Sequence, residues 1–295
     1  MPGAAARRDL SAGAVGGGRE FAFDRAHFDR IARLIYRLAG ISLAPHKMEM
    51  VYARLARRLR DLRLPDFDAY CDLLDSEAGE SEVGMLVNAL TTNLTAFFRE
   101  SHHFDYLRDR VLPEARRRAE LGGERRLRIW SAGCSSGQEP YTLAMVVAAA
   151  FPDLRAWDAR ILATDIDTRM VATAKAGRYS EEVIGTIPGA MRDRHVRRCR
   201  DERGEPAAVM SDELKRLITF KPLNLLEAWP MRGPFDAIFC RNVLIYFDRD
   251  GRRHVINKFA DLLPSAAHLF LGHSESLYGV SDRFDQVGAT IYRKL

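Results

Sequence analysis

The hydrophobic rhythm of the sequence changes at Thr91, and that change divides the chain. Upstream, apolar residues recur at helical spacing: Phe28, Ile31, Leu34, Ile35 and Leu38, halted at Gly40, then Met48, Val51, Leu55, Leu59 and Leu62 in a segment opened by Pro45. Two more helical patterns follow, through Phe67, Tyr70, Leu73 and Leu74 and through Val83, Leu86, Val87 and Leu90. This predicts a small all-helical domain over residues 21–90. Downstream, short apolar strands alternate with helices: Leu127 to Ala132, Ile161 to Thr164, Phe235 to Cys240, His268 to Leu271 and a last strand near Thr290 to Tyr292. Alternation of this kind implies an α/β fold, a mostly parallel sheet covered by helices on both faces. The expected boundaries are a disordered Ala/Gly-rich tail over 1–20, a linker and interdomain helix over 91–120, and the α/β domain over 121–295. A charged run punctuated by Gly and Pro, 179–217, replaces one expected helical connection and is expected to be a small inserted subdomain.

Composition narrows the class. Of 295 residues, 47% are apolar and 29% charged, enough for packed cores and unlike collagen, coiled-coil or wholly disordered chains. No run approaches the roughly 18 apolar residues needed to span a bilayer, and the Ala/Gly-rich start lacks the apolar core of a secretion signal. A soluble, cytoplasmic protein without membrane insertion is expected. The four cysteines (Cys71, Cys134, Cys199 and Cys240) are scattered and form no CxxC, so neither a disulfide framework nor a cysteine zinc site is expected. A net charge of +5 with a pI near 9.1 is compatible with an acidic partner.

The segment from Leu127 through Pro140 reads as strand, glycine turn and helix, with Gly133 and Gly137 letting backbone approach a ligand. Its GxxxG spacing lacks the GxGxxG that cradles a dinucleotide pyrophosphate, and Glu139 stands where a phosphate would want bare N–H groups. A nucleoside ligand without phosphates fits better. About thirty residues after the first glycine, the second strand ends in Asp165 and Asp167. Asp165 can accept both ribose hydroxyls, whereas Asp167 is placed to cap the helix beginning at Thr168. Asn224 follows a third strand signal, where an amide can pair with an adenine edge or simply mark a turn.

Five stretches now stand in order: Thr91 to Glu100 (TTNLTAFFRE), Ser131 to Tyr141, Ala163 to Asp167 (ATDID), Cys240 to Phe247 (CRNVLIYF) and Gly272 to Ser276 (GHSES). Together they resemble the bacterial chemotaxis receptor methyltransferase family, the CheR type, over roughly residues 21 to 295. The resemblance implies a class I, Rossmann-like S-adenosylmethionine-dependent methyltransferase domain, an N-terminal helical domain and a small β-subdomain at 179–217, which in some members holds a pentapeptide tether of the receptor. It implies an enzyme, a protein-glutamate O-methyltransferase that esterifies chemoreceptor glutamates in chemotaxis and needs no metal. The implied partner is the cytoplasmic signalling domain of methyl-accepting chemotaxis proteins. By motif, Asn93, Thr95, Arg99, Gly133, Glu139, Asp165, Asn224, Leu225, Arg241 and Asn242 match cofactor-contacting positions, and Arg99 and Tyr246 match residues near the transferred methyl. Gln138 stands where the family often has an acid, so either Gln138 or Glu139 is expected to meet the amino end of the cofactor.

Methylating a carboxylate needs no general base, because glutamate is already ionised at neutral pH. The site must align, desolvate and hold the reactants, work suited to arginine and tyrosine. On the Pro45–Leu62 helix, Lys47, Arg54, Arg57 and Arg58 fall beside the apolar stripe at 100° per residue. They are expected to form a basic ridge that docks an acidic helical substrate, or else a solvated face. Two rivals remain. A nucleic-acid methyltransferase would share the cofactor fold, but no Pro-Pro occurs in the chain and the fourth strand runs into Arg-Asn-Val-Leu-Ile-Tyr, so no nucleic-acid partner is expected. A non-catalytic cofactor-sensing module is disfavoured by Arg99 and Tyr246.

Overall fold

The computed structural model describes residues 19–201 and 203–295. The expected tail therefore lies outside the described residues except for Arg19 and Glu20, and Arg19 already stacks its guanidinium over the Tyr52 ring at 5.0 Å.

Four helices build the N-terminal unit: α1 (Arg25–Ala39), α2 (Met48–Leu62), α3 (Phe67–Leu74) and α4 (Glu80–Leu90). Asp24 and His27 cap the start of α1 reciprocally, and Gly40 ends it in the left-handed region at φ 66°. A Cβ at Gly40 would also lie 2.2 Å from Leu226 Cδ1, so a side chain there would push the helical unit off its neighbour. Pro45 opens a short 3₁₀ turn, Pro45–Lys47, that feeds α2. The apolar stripes close on one core containing Phe28, Ile31, Ile35, Val51, Leu55, Leu59, Phe67, Tyr70 and Leu86. Ile166 and Tyr246 of the second unit pack against that same core.

The polypeptide then passes through α5 (His102–Tyr106), a π-helical turn and α6 (Leu112–Glu120) into a mixed sheet. Its elements are β1 (Arg126–Ala132), α7 (Gln138–Ala150), β2 (Asp158–Asp165), α8 (Thr168–Ala176), then an insertion, β6 (Ile218–Pro222), β7 (Ala237–Cys240), α12 (Arg249–Leu262), β8 (His268–Leu271), β9 (Phe284–Gly288) and β10 (Ile291–Lys294). The insertion comprises β3 (Arg178–Ser180), α9 (Glu181–Ile184), α10 (Gly189–His195), β4 (Val196–Arg200), β5 (Pro206–Met210) and α11 (Asp212–Leu217). Strand order in the main sheet is β6-β2-β1-β7-β8-β10-β9, parallel from β6 to β8, with β10 antiparallel to both its neighbours. Alternating side chains feed two cores, so Ile129 and Phe239 face one helical layer while Trp130 and Ile238 face the other. The chain order reverses between β1 and β7, which opens a crevice at the carboxyl ends of these strands.

The insertion is a three-stranded antiparallel sheet, β3-β5-β4, in agreement with the small β-subdomain that the resemblance implies, although its own strand signal is poor. One feature differs from the sequence reading: the main sheet ends in the β9–β10 hairpin rather than in one last strand.

The basic face of α2 needs correction. Arg54 donates through Nη1 to the carbonyls of Leu90 (3.0 Å) and Thr91 (2.7 Å), closing the C-terminus of α4. Arg58 pairs with the buried Glu82 at 2.6 Å, and the Tyr70 hydroxyl donates to the same carboxylate at 3.0 Å. These two arginines hold helices together and do not form a free docking ridge. An isolated helix wheel cannot show this, because their partners lie on α4 and beyond it. Arg58→Ala leaves Glu82 buried without its cation, and breaking a buried pair costs about 3 kcal/mol. Denaturant unfolding of the full chain is expected to show a loss of that order. Unchanged stability with a raised receptor KM would return Arg58 to docking.

Candidate active site

The crevice at the carboxyl ends of β1, β2 and β7 deepens into a cleft of about 300 Å³ whose other wall is the helical unit. Ala39, Ile41 and Leu90 come from the helical unit, Gly133 from the turn after β1, Glu139 from the start of α7, Asp165 from the end of β2, and Asn93, Leu94, Ala96 and Arg99 from the linker. Thr95, Asn224, Leu225, Arg241, Asn242 and Tyr246 also line it. Every residue singled out for cofactor or methyl contact thus borders one cavity.

The glycine turn forms one edge. Gly133 has φ 88°, and a Cβ there would lie 2.2 Å from Val243 Cγ2, so only glycine lets the turn and the β7 loop close on each other. Ser135 N donates to Asp165 Oδ2 (2.7 Å), and Asp167 N donates to Oδ1 (2.9 Å). These bonds fix the Asp165 carboxylate at the cleft wall, while burial pushes its pKa up. Glu139 accepts from Ser131 Oγ (2.7 Å) and from Arg241 Nη1 (3.0 Å). Gln138 is instead bonded by Ser136 Oγ at 2.8 Å and does not border the cleft, which favours Glu139 between the two.

Behind Glu139 lies a buried charge relay that the sequence did not disclose. Arg241, with its side chain 3% exposed, reaches Glu139 on one side and Glu100 Oε2 (3.3 Å) on the other, and also donates to the Arg99 carbonyl. Its guanidinium lies 5.4 Å from the Phe104 ring centre. Burial pushes the Glu100 carboxyl up, but Arg241 and His273 outweigh it and hold it below the usual range. Glu100 closes the first recognised motif, and its position beside a linker arginine was the available signal.

Asp167 does cap α8, accepting from the N–H groups of Arg169 and Met170. Its second oxygen accepts from Thr91 Oγ1 (2.8 Å) and Asn93 Nδ2 (2.9 Å), so the linker is tied to the end of β2. Asn93 therefore spends its amide on this tie, and its carbonyl accepts from Ser135 Oγ at 3.0 Å. Asn224 is tied in a similar way. Its Nδ2 donates to the Leu38 carbonyl (2.8 Å) and to Glu227 Oε1 (3.0 Å), and its Oδ1 accepts from Leu226 N (3.1 Å). The side chain thus bridges to the helical unit with its N–H donors, which leaves only Oδ1 to meet a ligand in the cleft that Asn224 borders.

Arg99 and Tyr246 stand on the linker side. Arg99 Nη1 donates to the Leu94 carbonyl (2.8 Å), leaving other donors of its fork for the cleft. The Tyr246 hydroxyl donates to the Thr92 carbonyl at 3.3 Å, and burial pushes its pKa up. No group of histidines, cysteines and carboxylates able to hold a metal occurs among the described residues.

Residues 93–293 match the family model described as CheR methyltransferase, SAM binding domain, and residues 26–91 match CheR methyltransferase, all-alpha domain. The chain belongs to the CheR methyltransferase family. Similar proteins include a probable chemotaxis protein methyltransferase of Rhizobium etli, 46% identical over 88% of this chain and 96% of that one. Chemotaxis protein methyltransferase 2 of Pseudomonas aeruginosa is 43% identical over 94% and 96% of the two chains. The chemotaxis protein methyltransferase of Escherichia coli is 44% identical over 92% and 91%. The chain is thus an S-adenosylmethionine-dependent methyltransferase.

The donor set fits that cofactor. Two carboxylates suit ribose hydroxyls and an ammonium group, the cleft carries no phosphate cradle, and Ile166, Leu223, Leu225 and Val243 supply apolar walls for a purine. The ribose role expected for Asp165 has a direct consequence. Asp165→Asn keeps the shape but removes the charge, and hydrogen bonds to charged groups contribute about 1.5–3 kcal/mol, roughly a ten- to hundredfold change in affinity. Titration calorimetry with S-adenosylhomocysteine is expected to show a loss in that range, and an unchanged Kd would reduce Asp165 to a turn-fixing residue.

Proposed function

We propose that this enzyme methylates glutamate side chains in the cytoplasmic signalling domain of chemoreceptors, giving methyl esters and S-adenosylhomocysteine during chemotactic adaptation. The observation that carries the reading is the pairing of Arg99 with Tyr246 where the cleft passes between the linker and the helical unit. A guanidinium grips a carboxylate with two donors, and a half-buried phenol aligns it while its ring packs on the helical core.

When bound, S-adenosylmethionine supplies an electrophilic methyl group, whose bond to sulfur breaks as the bond to a carboxylate oxygen forms. The residues of this chain supply the rest. Glu139, held by Arg241, faces the amino end of the cofactor, and Asp165 faces its ribose. Arg99 holds the incoming glutamate, and Tyr246 orients it. Alignment of this kind is worth as much as about 7–11 kcal/mol, without proton transfer. That economy suits the lining, because Glu139 is paired with Arg241, and Glu100, 4.0 Å from Arg99 Nε, is paired with Arg241 as well.

The helical unit is proposed to orient the receptor. With Arg54 and Arg58 occupied inside the fold, Arg57, which is exposed, and Lys47, which is half-buried, remain to steer an acidic helical bundle. The reaction is placed in the cytoplasm with its receptor domain. No helix of the described residues is long and apolar enough to cross a membrane.

The test is a labelled-methyl assay. Purified enzyme, labelled cofactor and a receptor signalling domain are expected to give protein-bound label that mild base releases as methanol. Base-stable label, or label on added RNA in preference to receptor, would contradict glutamate esterification.

A further inference from the structure

Glu275 lies in the turn after β8 and is 6% exposed. No cation is paired with it among the described residues. It is held instead by backbone N–H groups from two segments: Oε2 accepts from Asn242 (2.9 Å) and Gly272 (2.6 Å), and Oε1 accepts from Ile245 (3.3 Å). Asn242 adopts φ 60°, uncommon for a residue other than glycine, and this backbone turn brings the Asn242 and Ile245 N–H groups onto one carboxylate. Burial pushes the Glu275 carboxyl up, opposed by those N–H groups. A buried carboxylate compensated only by backbone is costly unless the loop around it requires an anion.

That loop carries the reaction. It runs from the end of β7 through a 3₁₀ turn, Leu244–Tyr246, so two of the three donors bound by Glu275 lie within the five residues that begin at Asn242 and end at Tyr246. We infer that Glu275 is the positioning residue of this loop, setting the Asn242 turn with one oxygen and the reach of the Tyr246 hydroxyl with the other. The inference rests on the reading of Tyr246 as the group that orients the receiving carboxylate. Among the described residues, no other side chain at the carboxyl end of β8 bonds the β7 loop. His273, next to it in sequence, is bonded to Glu100 at 3.0 Å and serves the Arg241 relay.

Glu275→Gln separates the two oxygens. The amide oxygen can keep the two bonds to Asn242 and Gly272, but the NH₂ group then faces the Ile245 N–H, donor against donor. The end of the loop nearest Tyr246 is released while the Asn242 end stays held. The experiment is a double-mutant cycle in the full chain, comparing wild type, E275Q, Y246F and the double variant. It reads kcat with saturating receptor and cofactor, Kd for S-adenosylhomocysteine, and Tm. E275Q is expected to lower kcat about tenfold with Kd changed less than about threefold, and in the Y246F background to lower kcat less than about twofold. A merely structural residue would lower Tm and cost the same in both backgrounds. Equal losses in the two backgrounds, or an unchanged kcat in E275Q, overturn the inference. Y246F with wild-type kcat would instead overturn the reading of Tyr246 on which it rests. If E275Q does not fold, E275D, which keeps the charge and draws it back, goes through the same cycle with the same two decisive outcomes.

Discussion

The cleft exists because one carboxylate, that of Asp167, serves two structures at once. Its first oxygen caps α8, and its second holds Thr91 and Asn93, so the start of a sheet-covering helix and the interdomain linker share an anchor. Beside it, Asn88 at the end of α4 accepts from Thr168 N (3.1 Å) and donates to Thr168 Oγ1 (3.0 Å). The Tyr36 hydroxyl donates to Asp248 Oδ2 at 2.5 Å, and Ser42 N donates to the Tyr246 carbonyl at 2.9 Å on the opposite rim. The helical unit is thereby fastened at both edges of the crevice between β1 and β7. A parallel sheet alone would leave that crevice open to water; fastened in this way, it acquires a second wall and a floor.

Charge is distributed across the site by the same logic. The carboxylates that line the cleft are each held by specific donors, Asp165 by backbone N–H groups and Glu139 by Ser131 and Arg241. Arg241 is in turn shared with Glu100, and Glu100 with His273. Preorganised dipoles and charges need not move when substrate arrives, which is where such sites gain over water. Arg99, bonded on one side to a backbone carbonyl, keeps donors for an incoming anion. The acidic side suits a cationic methyl donor, and the arginine suits a carboxylate acceptor.

Much of this was legible in the sequence, because it rests on local rules. Helical spacing up to Leu90, the Gly40 stop, the apolar strands and the glycine turn after Ala132 are each fixed by neighbours a few residues away. What escaped depends on partners distant along the chain. Arg58 reads as a surface arginine until Glu82 arrives from α4, and Asn224 reads as a free amide until the Leu38 carbonyl, 186 residues away, meets it. Glu275 stood inside a recognised motif, yet its partners are backbone groups that no residue type announces. The strands of the insertion are short, five residues or fewer, and carry arginines on an edge, so alternation is too weak to read.

The most direct test of the two-walled cleft is the affinity of Asp167→Ser for S-adenosylhomocysteine. Serine is a good helix cap and leaves α8 an acceptor, but it has no second oxygen for the linker. Calorimetry on the folded variant is predicted to show binding weakened about tenfold or more, in line with the loss of hydrogen bonds to a charged group. Wild-type affinity in a folded Asp167→Ser chain would contradict the account, because the cofactor would then be held by the sheet alone.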